Sequence, residues 1–132
     1  MDYVKIDGKA YDVIVTSIEE TFNILYSENT GRTLSEKNRM ILDPLGTFIG
    51  HVVTFKRKNG FEKEYDELYD YFCQPRYNGV MLNIVHDQET MEYEAYVSQG
   101  GRKLKKIDVS NNKVLWEEMK INFVPMEARL IP

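Results

Sequence analysis

The stretch GVMLNIVHDQETMEYEAYVS, residues 79–98, decides the fold class of this chain. Its second half alternates between two faces, with Tyr93, Ala95 and Val97 on one face and Glu92, Glu94 and Tyr96 on the other. Successive side chains of a strand point to opposite faces, so this alternation predicts a strand with one face in water. The polar residues 86–89 favour a turn. Two strands, over residues 79–85 and 91–98, are therefore predicted.

Immediately upstream lies the sequence that predicts a helix, FEKEYDELYDYF at residues 61–72. Its apolar residues recur at helical spacing and form one stripe, which consists of Phe61, Tyr65, Leu68, Tyr69 and Phe72. Glu62 and Glu64 suit the positive end of the helix dipole, and Gln74-Pro75 ends the helix because proline disfavours helical backbone in the residue before it. We expect a helix over about residues 61–73.

The remaining strands are predicted from shorter signals. Near the start, residues 3–6 and 11–16 flank Asp7-Gly8, a pair typical of tight turns, and predict a β-hairpin or a sharp β-corner. Residues 17–26 fit both the helical and the strand period, and we favour a strand. Residues 48–58, 104–109 and 114–124 predict three further strands, with Gly100-Gly101 as a turn.

A polar segment, SENTGRTLSEKNRMILDPLG at residues 27–46, separates the early strands from the rest. Its glycines and Asp43-Pro44 predict a long loop over about residues 27–47, and loops of this length are commonly functional or disordered. Four apolar residues within it either fold back on the domain or anchor the loop on a partner: Met40, Ile41, Leu42 and Leu45.

Together these elements predict one mainly β (α+β) domain over residues 1–132. Several antiparallel strands with a single helix favour an antiparallel β-sandwich or a partly closed β-barrel, with the α-helix flanking one face or opening.

Composition excludes several classes of function. A net charge of −4 argues against a protein that grips phosphate backbones, and sequence-specific nucleic-acid binding is not expected. No apolar run approaches the length of a membrane span, and no signal peptide is expected. Basic residues cluster at 56–58 and at 102–106, which indicates either solvated faces or charged surfaces that are complementary between copies.

Motifs for catalysis are missing from the sequence. His51 and His86 lie in no known catalytic context, and there is no P-loop, no dinucleotide fingerprint and no nucleophile elbow. The only cysteine, Cys73, follows the helix stripe and is expected to be a buried packing residue. We therefore assign no catalytic, cofactor-binding or metal-binding residue, and expect no enzyme.

Four stretches carry a resemblance to a known group of proteins: VKIDGKAYDVIVTSIEETFNILYSENTGRTL (4–34), EYDELYDYFCQPRYN (64–78) leading into VMLNIVHD (80–87), MEYEAYVS (91–98) and INFVPMEARLIP (121–132). In their order the chain resembles the short structural proteins of phage tails. The resemblance implies a tail tube, tube-initiating (distal tail) or baseplate hub-like protein of a phage, a prophage or a phage-tail-like particle.

What the resemblance implies about partners is equally concrete. Such proteins form hexameric or trimeric rings with copies of themselves, bind other tail or baseplate proteins, and surround a lumen through which DNA passes. The chain would be made in the bacterial host cytoplasm and end in the virion tail. Under this interpretation the candidate assembly residues are Met40, Ile41, Leu42, Leu45, Arg102 and Lys103.

Two other functions stay open at this point. A stand-alone β-barrel module could hold a small ligand in its mouth, lined by Tyr11, Tyr93 and Tyr96. An enzyme without a recognisable motif is the third alternative.

Overall fold

The computed structural model describes residues 3–132. Its elements follow the chain as β1 (Val4–Ile6), β2 (Val13–Tyr26), β3 (Gly31–Arg32), β4 (Met40–Ile41), β5 (Pro44–Arg57), α1 (Glu62–Cys73), β6 (Val80–His86), β7 (Glu89–Asp108) and β8 (Lys113–Pro125). Six strands form one antiparallel sheet in the order β1-β6-β7-β8-β5-β2, and β3 pairs with β4 in a separate small hairpin. The predicted mainly β antiparallel fold with a single helix is thus confirmed.

The sheet is curved, because Glu20 on one edge strand reaches His86 near the opposite edge at 2.6 Å, but it does not close into a barrel. Its two edge strands, β1 and β2, are neighbours in the chain and are joined by residues 7–12 alone. Asp7 and Gly8 both have positive φ angles, 50° and 81°, and Ile6 and Lys9 exchange two backbone hydrogen bonds of 3.0 Å across them. A β-hairpin or a sharp β-corner was predicted here. Because β1 pairs with β6 and β2 pairs with β5, the two strands do not pair with each other, and the segment is a β-corner.

The core lies on the concave face of the sheet, where α1 packs. The helix contributes Tyr65, Leu68 and Phe72, and the ring of Phe72 meets that of Phe123 edge-on at 5.5 Å. Full burial of each such apolar side chain stabilises the fold by about 1.5–3 kcal/mol. Of the predicted stripe, Tyr65, Leu68 and Phe72 are buried and Tyr69 is partly buried, but Phe61 precedes the helix and is 40% exposed. The helix boundaries agree with the expected ones to within one residue.

Two hairpins extend from opposite ends of the sheet. β5 pairs with β8 only between His51–Phe55 and Met119–Phe123. The first half of β5, with its partner β2, therefore extends past one end of β8, and the first half of β8, with β7, extends past the other end of β5. We call residues 19–50 the arm and residues 102–118 the spur.

Three sequence expectations need correction. The long loop is shorter than expected, because β5 begins at Pro44 and the connection contains the β3–β4 pair. Gly100-Gly101 makes no turn: both glycines lie inside β7, opposite Ile121 and Lys120, and a Cβ on Gly100 would lie 2.7 Å from Cδ1 of Ile121. Cys73 is exposed, because it lies off the buried stripe of α1.

Candidate functional site

The connection at the end of the arm is held by its own hydrogen bonds. The backbone N–H of Ser27 donates to the carbonyl of Asp43 at 2.8 Å, and the N–H of Asp43 donates to Oγ1 of Thr30 at 2.9 Å. Arg32 in β3 pairs with Met40 in β4. This hairpin has a defined shape, so the apolar side chains that it carries have defined positions.

Those side chains point into water. The exposed fractions are 39% for Met40, 53% for Ile41, 58% for Leu42 and 57% for Leu45. They do not fold back into the core, which leaves the second of the two predicted alternatives, contact with a partner, as a prediction.

The strands of the arm add to this apolar surface. Phe22 is 72% exposed, and Ile24, Leu25 and Tyr26 are also exposed. A two-stranded hairpin is only marginally stable in water by itself, and contiguous exposed apolar residues commonly mark a contact surface. The arm is therefore the strongest candidate for an interface in the described part of the chain.

The spur presents a second surface of different character. Its exposed apolar residues are Leu104, Ile107, Val109 and Val114, and Ile107 and Val114 are cross-strand partners, which places them on one face. Its exposed bases include Lys103, Lys105 and Lys106. The turn is fixed by Asp108, whose carboxylate accepts hydrogen bonds from Asn111 and Ser110, and these bonds lower the pKa of Asp108 to about 2.

Arg102, at the base of the spur, is engaged inside the subunit. Its guanidinium lies 4.0 Å from the ring centre of Tyr69 and 4.1 Å from that of Trp116, and it pairs with Asp66 at 2.8 Å. It therefore fastens α1 to the hairpin. Its neighbour Lys103 is exposed. A role for either residue in assembly stays a prediction.

A polar cluster at the root of the arm was not expected from the sequence. Glu20 of β2 accepts hydrogen bonds at Oε1 from Nε2 of His51, at 3.0 Å, and from Nδ1 of His86, at 2.6 Å. The other ring nitrogen of His51 lies 2.7 Å from the hydroxyl of Tyr93. Because a carboxylate only accepts, the neutral His51 ring donates from Nε2 and accepts the Tyr93 proton at Nδ1.

The cluster connects strands that are distant in the sheet. Glu20 lies on the edge strand β2 and His86 at the end of β6, which is next to the opposite edge. Their hydrogen bond crosses the concave face, so it helps to hold the curled sheet together. His51 is the polar residue buried within this cluster, at 1% exposure.

The electrostatics of the cluster suit a structural role. Burial lowers the pKa of His51, despite the opposing influence of Glu20. Burial alone would raise the pKa of Glu20, but hydrogen bonds from His86 and His51 outweigh it and lower that pKa. Burial, together with the Glu20 carboxylate, raises the pKa of Tyr93.

The burial of His51 argues against a hydroxyl–imidazole–carboxylate catalytic relay at this cluster. The side chain of His51 is 0% exposed, so a substrate has no access to its ring.

A sequence signal for this cluster did exist. Glu20 lies between Ile18 and Phe22 at the spacing of one strand face, and His51 lies at the same spacing from Val53. A polar residue at an inward-facing position needs a polar partner, but the partners lie too far apart in the chain for spacing to identify them.

The three tyrosines proposed for a ligand pocket lie apart. Tyr11 lines an apolar groove between β1 and β2, whereas Tyr96 lines two other grooves, one near Val124 and one near Gln74. Tyr93 is hydrogen-bonded to His51. They do not form a common lining.

Within residues 3–132, no group of three or more His, Cys, Asp or Glu side chains is placed to hold a metal ion. The same residues contain no helix long and apolar enough to span a membrane. No protein-family model, no curated protein and no solved structure matches this chain.

Proposed function

We propose that this protein is a structural subunit of a phage tail or a phage-tail-like particle, which assembles into rings with its own copies and contacts neighbouring tail or baseplate proteins. The exposed apolar surface of the arm is the observation that carries this proposal. The resemblance of the sequence to phage tail structural proteins supplies the kind of assembly.

The arm supports an assembly function because of its position as well as its composition. It extends beyond the end of β8, where residues 129–130 hydrogen-bond to Thr47 but Met40, Ile41 and Leu42 stay exposed. Leu34, at the tip, is 103% exposed. Water contact with these side chains is unfavourable by about 25 cal/mol for each Å² of apolar area, so a partner that covers them is stabilised.

The open sheet supports the same function. In the described chain, β2 pairs with β5 only, so the backbone groups along its other edge have no strand partner. Exposed sheet edges tend to pair with other chains, and a closed ring hides them. The free edge of β2 can therefore pair with a strand of a neighbouring subunit.

The arm can be tested by replacing two of its exposed residues, Ile41→Asp with Leu42→Asp. We expect the wild-type chain to form rings or short tubes in negative-stain images and a fast boundary in sedimentation velocity. The double variant should sediment as a monomer, because charged groups at the contact oppose its desolvation.

A matched control is Tyr77→Asp, which changes another fully exposed apolar residue outside the arm and the spur. This control should assemble like the wild type, and all three chains should have the same circular dichroism and Tm. A wild-type chain that stays monomeric at its highest soluble concentration, or a double variant that assembles normally, contradicts the proposal.

A further inference from the structure

The arm and the spur lie at opposite ends of the sheet and cannot touch within one subunit. The register of β5 against β8 fixes this geometry, since the two strands overlap over residues 51–55 and 119–123 only and each continues past the other in the opposite direction. Residues 128–130 contact the arm at Gly46 and Thr47, but Ile41 and Leu42 stay exposed, so a spur that covers these two side chains would belong to another molecule.

We propose that the arm of one subunit docks on the spur of a second copy, so that subunits join head-to-tail. This inference rests on the proposed assembly function and names the surface that receives the arm. It predicts a heterologous contact, in which each subunit uses two different surfaces.

Both surfaces carry the apolar residues that such a contact needs. The arm presents Ile41 and Leu42, which are 53% and 58% exposed, and the spur presents Ile107 and Val109, which are 62% and 85% exposed. The apolar side chains of both surfaces are therefore partly exposed to water in the free subunit, and covering them lowers the free energy.

Charge favours arm-on-spur contact over arm-on-arm contact. Apart from Glu20 and Arg102, which are engaged within the subunit, the arm (residues 19–50) contains four acidic and three basic residues, and the spur (residues 102–118) contains four basic and three acidic residues. Opposite net charges meet when an arm docks on a spur, and like net charges meet when two arms or two spurs pair. A second copy in the head-to-tail orientation is thus the occupant that the charges fit best.

Two variants that each lack one surface test this inference. The arm variant carries Ile41→Asp and Leu42→Asp, and the spur variant carries Ile107→Asp and Val114→Asp on one face of the hairpin. Each should be monomeric by itself in sedimentation velocity. Mixed in equal amounts, they should form a complex of two subunits and nothing larger, because only one functional arm and one functional spur meet.

Other outcomes separate this inference from the proposed function. If the wild type assembles but the spur variant also assembles by itself, arms pair with arms or with another surface, and the inference is wrong. If both variants are monomeric and their mixture stays monomeric, it is also wrong. A wild-type chain that never assembles rejects the proposed function itself.

A milder spur variant guards against misfolding. Lys105→Glu with Lys106→Glu leaves the apolar residues of the spur in place and reverses its net charge. This variant should assemble more weakly than the wild type. Combined in one chain with Ile41→Asp and Leu42→Asp, it should bind the intact arm of the spur variant less tightly than the arm variant does. Unchanged assembly at low salt would count against the role of charge.

Discussion

At the scale of single residues, Arg102 joins three parts of the molecule. Its guanidinium contacts aromatic rings on α1 and on β8, and its ion pair with Asp66 is partly shielded, since the Arg102 side chain is 14% exposed. A planar guanidinium can stack and form a directed ion pair at the same time, which an ammonium cannot. Tyr65, beneath the same guanidinium, has its pKa raised to about 12 by burial.

Replacement of this residue should therefore destabilise the subunit even where charge is kept. We expect Arg102→Lys to lower the free energy of unfolding by about 1–2 kcal/mol, because the stacking on Tyr69 and Trp116 is lost. Urea unfolding followed by tryptophan fluorescence would measure it. The control Lys103→Ala changes an exposed neighbour and should stay within about 0.5 kcal/mol of the wild type. Equal effects for the two variants would contradict the stacking argument.

The Glu20–His51 pair makes a separate prediction about pH. The pKa of His51 is lowered, so the unfolded chain binds a proton first as the pH falls below the ordinary value of 6.5. The pKa of Glu20 is also lowered, so below its ordinary value of 4.5 the unfolded chain again binds more protons than the folded one. Both groups therefore destabilise the folded state on acidification.

Thermal unfolding between pH 7.5 and about pH 2.5 would check this. We expect the Tm of the wild type to fall in two stages, around and below each of these ordinary values, and the first stage to weaken in His51→Asn. A wild-type Tm that stays constant over this range would show that the cluster does not couple folding to protonation.

Sequence alone predicted neither that Glu20 and His51 face inward nor which side chains they meet, because residues 17–26 fit the helical and the strand period alike. In the structure both side chains lie on the concave side of their strands. The hydrogen bonds that join them to Tyr93 and His86 depend on the curl of the sheet and on pairings between distant strands. Spacing along the chain contains no information about such contacts.

At the scale of elements, close backbone approach limits the junction before β6. A Cβ on Gly79 would lie 2.5 Å from the carbonyl oxygen of Ala95, which is a backbone atom and cannot rotate away. A Cβ on Gly101, in β7, would have no atom within 4 Å. The two glycines are therefore a matched pair for substitution.

We expect Gly79→Ala to lower the free energy of unfolding by about 1–3 kcal/mol, because the start of β6 must move away from β7. Gly101→Ala should change it by less than about 1 kcal/mol. Chemical denaturation of both variants would measure the difference. Similar values for the two would indicate that the β6–β7 junction adjusts freely.

The elements themselves were largely predictable. The helix stripe ended by Gln74-Pro75 gave correct boundaries for α1, and alternation gave β6 and β8 nearly in full. Gly100-Gly101 misled because glycine serves equally in turns and where a neighbouring side chain, here Ile121, packs against the backbone. The pairing of β3 with β4 was missed because each is only two residues long.

At the scale of the whole molecule, the core and the proposed contact surfaces lie on different parts of the curved sheet. The concave face holds the core and α1, while the arm and the spur extend from opposite ends and carry most of the large exposed apolar residues discussed above. The sheet order could not be predicted, since it joins β1 to β6 and leaves β2 at the other edge. Such pairings are decided by the packing of the complete chain.

The position of β1 also sets the order in which the molecule is completed. Its partner β6 begins only at Val80. During synthesis on the ribosome, Ile6 therefore cannot become buried until the chain has been made at least as far as β6. The strands β2 and β5, by contrast, can pair once the chain has been synthesised as far as Arg57. The pairing of β1 with β6 is consequently a later step than the pairing of β2 with β5, and it is slowed by the entropy of bringing distant segments together.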